Sequence, residues 1–195
     1  MQGPMRVRLW LWLMISSVLS PVVFAQTQGL PQDWEIRADI DALARQTTQL
    51  KLLIEEVKPD QWPEQDSRDA YKAQLKSVLD EIGYLSRSEG ELASNPERLS
   101  LAFETYLRIQ SLDEMTSSLN EGVRRYQDPQ LADRIRAAQT GAAAPQEKLR
   151  NYIVLLAANR ESQYEVMAEE AQRCRAALSR QAPARGGTAK KTESK

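Results

Sequence analysis

The chain has 195 residues, 42% of them hydrophobic and 27% charged, with 8 Gly, 9 Pro, 1 Cys and no His. That length suits one domain of ordinary size. The missing His excludes His-based triads, His-ligated metal or haem sites and an imidazole pH switch. A single Cys excludes a disulfide framework, a CxxC pair and any multi-Cys metal site.

Residues 1–25 have the three parts of a secretory signal: Arg6 and Arg8, an apolar stretch from Leu9 to Phe24, and small residues at Val23 and Ala25 before the expected cut at Gln26. The apolar stretch is 16 residues long and contains Ser16, Ser17, Ser20 and Pro21, short against the roughly 20 residues that span a bilayer. The expectation is an exported chain, periplasmic or extracellular, with no membrane span after cleavage. Removing Arg6 and Arg8 from 26 basic residues leaves 24 against 27 acidic ones, a net charge of −3. An acidic body argues against nucleic-acid binding, which needs a basic face.

After a flexible stretch over 26–32, a bundle domain is expected over 33–180 and a disordered basic tail over 181–195. Helix one is expected from Asp33, as N-cap, to Val57. Its stripe of Ile36, Ile40, Leu43, Thr47, Leu50, Ile54 and Val57 advances by four and three residues in turn, the spacing of a coiled-coil seam. Helix two, from Ser67 to Ala93, repeats it with Tyr71, Leu75, Val78, Ile82, Leu85, Glu89 and Leu92. Asp66 or Ser67 is its expected cap. Two prolines, Pro59 and Pro63, break the connection. So short a link makes an antiparallel hairpin, which sets Glu89 opposite Ile40.

Asn95 as N-cap and Pro96 at the first helical position are expected to open helix three, which runs to about Tyr126. Its apolar face is expected to switch sides, from Leu99, Ala102, Phe103 and Tyr106 to Leu112, Met115, Leu119, Val123 and Tyr126. Asp128-Pro129 opens a short helix to about Gln139, and Thr140-Gly141 interrupts it. A last helix over 143–180 carries Leu149, Ile153, Leu156, Tyr164, Met167, Ala171, Cys174 and Leu178 on one stripe. It is too long for its neighbours, so its far half is expected to project. The fold class is therefore all-α: an antiparallel bundle of about four long helices plus one short helix.

Candidate sites are few. Glu89 and Glu170 fall on or near apolar stripes and are candidate buried acids, whose carboxyls desolvation would raise toward general-acid range. Cys174 lies on the apolar stripe, where burial as a small residue is the leading expectation. A lone thiol in an oxidising compartment is also a candidate for an intermolecular disulfide. Arg124, Arg125, Arg134 and Arg136 around the Asp128-Pro129 turn form a candidate anion or partner patch, with interleaved acids as their ordinary partners. Trp34 and Trp62 are expected to cover the ends of the core. The acidic pairs Glu55-Glu56, Asp80-Glu81, Asp113-Glu114 and Glu169-Glu170 read as solvated faces, because adjacent helical residues point about 100° apart.

No phosphate-loop, nucleophile-elbow, zinc-protease or haem motif occurs, and no cofactor is expected. The reading is a non-catalytic exported bundle that acts by protein contact, as a scaffold, adaptor or chaperone-like binder. Self-association or a protein partner is expected along the last helix. The alternatives are a carboxylate-based enzyme, lyase or glycosidase-like, and a small-ligand bundle with a cavity lined by Phe103, Tyr106, Leu112 and Met115.

Overall fold

A computed structural model describes residues 29–181, so the expected signal over 1–25 and the tail expected over 181–195, save Gln181, lie outside the described residues. The protein is an all-helical bundle of four long helices and one short one: α1 (Asp33–Ile54), a 3-10 turn (Pro59–Gln61), α2 (Gln65–Ser94), α3 (Leu99–Tyr126) and α4 (Pro129–Gln181). Each long helix packs on the next, and α4 closes back on α1. Cross-helix bonds fix every neighbouring pair as antiparallel. Ser88 meets Thr105 and Glu81 meets Arg108 between α2 and α3. Lys148 reaches Asp39, and Arg134 reaches Glu56, between α4 and α1.

The seams of the first two helices lie inside, from Ile36 through Val57 on one and from Val78 to Leu92 on the other. The α1 N-cap is Gln32 rather than Asp33, because the Gln32 side chain and Glu35 form a reciprocal capping box. Ahead of it, Leu30 already packs against the core. Glu64 precedes α2 as its N-cap, in place of Asp66 or Ser67. Between α1 and α2 the Arg37 guanidinium meets the Ala93 carbonyl, close to the expected register. Thr47 Oγ1, one heptad along α1 from Ile40, donates 2.8 Å to Glu89 Oε1.

Asn95 closes α2 instead of opening α3. Its backbone N–H bonds the Glu91 and Leu92 carbonyls. Pro96 is buried in the turn, where its carbonyl accepts the Tyr152 hydroxyl at 2.8 Å. The face of α3 does not switch sides. Its buried line runs Ala102, Thr105, Ile109, Leu112, Thr116, Leu119 and Val123, by steps of three and four throughout. Phe103, half exposed, is off that line. The expected short helix and last helix are one continuous element, α4, with Pro145 inside it. Asp128 caps its start through an Oδ1 that accepts from the Gln130 N–H at 2.8 Å.

One end of the bundle is sealed by aromatic rings. Trp62, 2% exposed, stands edge-on to Tyr71 with centroids 4.8 Å apart and lies 5.4 Å from Tyr126. Gly122 makes the room: a Cβ there would come 2.5 Å from the Tyr71 ring. Gln127 ties the two loops at this end. Its Oε1 accepts from the Lys58 N–H at 2.8 Å, and its Nε2 donates to the Glu56 carbonyl at 2.9 Å.

Candidate functional site

Two features stand out from an otherwise apolar bundle. One is a set of polar side chains spread along the inside of the bundle; the other is the free end of α4.

The most buried acid of the set is Glu89, which is 2% exposed. Thr47 satisfies Oε1, and Oε2 has no partner. Burial pushes the carboxyl up from 4.5 to about 7, and the Thr47 hydrogen bond opposes part of that rise. Next along α2, Ser88 Oγ lies 2.6 Å from Thr105 Oγ1. Thr105 gives its own hydrogen to the Leu101 carbonyl, so Ser88 is the donor between them. Asn120 donates to the Ala132 carbonyl at 3.0 Å. Asp113, with its carboxyl raised by burial, accepts from Gln146 Nε2 at 3.0 Å. A cavity of about 20 Å³ lies between Thr47, Gln46, Asp113, Gln139, Gln146 and apolar neighbours. That is room for about one water and far below a small-molecule pocket of roughly 300 Å³ or more. Phe103, Tyr106, Leu112 and Met115 do not gather around a cavity: Phe103 is exposed while Leu112 is buried.

The other sequence-derived candidates are dispersed. Glu170 is exposed, not buried, because it sits beyond the reach of the other three helices. Gly141 packs against Gln46, next to Thr47, so Glu170 lies roughly 40 Å along α4 from the level of Glu89. The two carboxylates share no cleft. Among the four arginines, Arg124 pairs with Asp133, and the bond holds that carboxyl below its ordinary value. Arg134 pairs bidentately with Glu56 at 2.7 and 2.9 Å. Arg125 lies over the Tyr126 ring, and Arg136 faces solvent. Two of the four charges are thus matched by acids. No group of three or more His, Cys, Asp or Glu among the described residues is placed to hold a metal.

Trp34 is exposed, 68%, and so covers nothing, unlike Trp62. Cys174 is exposed as well, which corrects its reading as a buried small residue. Its stripe is apolar, yet no neighbouring helix reaches it. The last fully buried residue of α4 is Leu156. From Arg160 to Arg180 every residue except the half-buried Ala168 is exposed. This segment of about 20 residues projects roughly 30 Å. It carries Tyr164 at 72%, Met167 at 62% and Leu178 at 62% exposure, with Ala171 and Cys174 between them. The spacing is three, four, three, four: a coiled-coil seam that no second strand covers among the described residues.

Sequence reasoning missed the polar members of the α3 line, Thr105 and Thr116, and the buried Asn120 beside it. The signal was present, since Thr47 had been admitted to the α1 seam on spacing alone and the same allowance exposes the α3 line.

Family models, curated proteins and solved structures were all compared with the chain, and none matches.

Proposed function

We propose that this protein is an exported, non-catalytic helical bundle that works by protein–protein contact, as a scaffold, adaptor or chaperone-like binder, through the projecting end of α4. The observation that carries this reading is the exposed seam over Tyr164, Met167, Ala171, Cys174 and Leu178. A helix end with five regularly spaced apolar positions, uncovered among the described residues, leaves apolar surface in water, and covering that surface is the driving force for association. The bundle supports the segment rather than reacting. Its strongest acid–base candidate, Glu89, is 2% exposed and has no open path to a substrate. Export is part of the proposal and rests on the three-part pattern of residues 1–25.

A photo-crosslinking residue placed at Met167 in the producing cell tests it, with Val154 on the bundle wall as control. The expected result is a discrete protein adduct from position 167 and none from 154. Absence of any adduct at 167 overturns the reading.

A further inference from the structure

We infer that the partner of the projecting end of α4 is a second copy of this chain, lying antiparallel, so that two bundles are held at the ends of a short two-stranded coil. This rests on the contact reading above and adds the identity and direction of the partner.

Three observations point the same way. The first is the seam itself. In heptad terms Tyr164, Ala171 and Leu178 occupy one seam position and Met167 and Cys174 the other, so one strand supplies the knobs and holes that an identical strand requires.

The second is charge. Glu161, Glu165, Glu169 and Glu170 outnumber Arg160 in the half of the segment nearer the bundle, where Arg160 turns back to the Glu97 carbonyl, and Arg173, Arg175 and Arg180 fill the outer half. Among the described residues of this segment, Glu169 and Arg173 are the pair closed within the helix. An antiparallel copy sets each acidic half beside a basic half. A parallel copy sets like beside like along the whole length.

The third is the direction in which the seam faces. Leu149, Tyr152 and Leu156 mark the side of α4 turned into its own bundle. At about 100° per residue the seam lies within roughly 45° of that side, so it looks out over the open end of the bundle. A parallel second copy, continued toward its N-terminus, runs into the first bundle. An antiparallel copy approaches from the far end and meets no obstacle. The same open end carries the exposed Trp34 in the first turn of α1.

The contact is a single pair of helices about 30 Å long, below the area of a standard stable interface. The dimer is therefore concentration-dependent. Sedimentation of the exported protein over a hundredfold dilution series is expected to show a dimer that dissociates on dilution. Met167→Glu is expected to weaken it at least tenfold while leaving the helical signal and melting unchanged, since Met167 touches no core residue. Val154→Glu is expected to leave the dimer intact. In a Cys174→Ser background, spin labels at Ser179→Cys are expected to lie about 20–30 Å apart across the dimer. A separation below about 15 Å overturns the antiparallel arrangement. A mass of one chain at every concentration overturns the second copy. If adducts still form at position 167 with a different protein, the contact reading survives and this inference alone falls.

Discussion

Glu89 places a carboxyl where the chain has removed almost all water, with one oxygen held by Thr47 and the other unpartnered. An unfolded glutamate titrates near 4.5, and here the folded state holds its proton up to about 7. Between those values the folded state binds more protons than the unfolded one, so stability falls as pH rises through the window and levels off above it. The change is on the order of 3 kcal/mol. Glu89→Gln keeps the shape and removes the charge. Urea unfolding is expected to give near-equal stability for the two chains at pH 4.5 and a more stable variant at pH 8. Asp113, also raised by burial, leaves a smaller slope of the same sign in both. Gly122 is the other residue with a sharp consequence. Gly122→Ala gains helix propensity but drives a methyl into Tyr71 and Trp62, for an expected net loss of about 1–2 kcal/mol. Gly90→Ala meets nothing within 4 Å and is expected to gain roughly 0.5–1 kcal/mol. Opposite shifts in the urea midpoint check the pair.

At the level of elements, α1 and α2 were legible because their seams are nearly all aliphatic and repeat without a slip. In α3 the same spacing was hidden by Thr105 and Thr116, and exposed aromatic residues such as Phe103 drew the apparent face away from the buried one. Local signals misled again in α4. Thr140-Gly141 and Pro145 each disfavour a helix interior, yet the helix runs on. Gly141 packs beside Gln46 of α1, and Leu131, Ala132, Ile135, Leu149, Tyr152 and Leu156 are all buried on either side. Burial over several turns outweighs a propensity deficit of roughly 1 kcal/mol at Gly and 3 at Pro. If α4 is continuous, Gly141→Ala is expected to stabilise the protein by about 0.5–1 kcal/mol and Pro145→Ala by about 1–3 kcal/mol. A chain that breaks at these residues shows neither gain in thermal unfolding.

At the scale of the whole molecule, the described residues form a ring of four long helices in which one member is far longer than the rest. α1 has 22 residues and α4 has 53; at 1.5 Å per residue the excess is about 45 Å, part of it bridging to α3 and the remainder free. Because residues from Arg160 outward cover no core, a chain ending at Arg160 is expected to unfold at the same urea concentration as the full protein when both are dilute. A drop of more than about 0.5 kcal/mol shows that the free end braces the bundle. The sequence by itself determined the helical class, the inward stripes of α1 and α2 and the excess length of the last helix, because each depends on spacing along one chain. The tertiary structure decided the exposure of Cys174 and Glu170, the burial of Glu89 against Thr47, the matching of Arg134 by the distant Glu56 and the unbroken course of α4. Those depend on which neighbours arrive from distant parts of the chain, and periodicity within one helix carries no record of them.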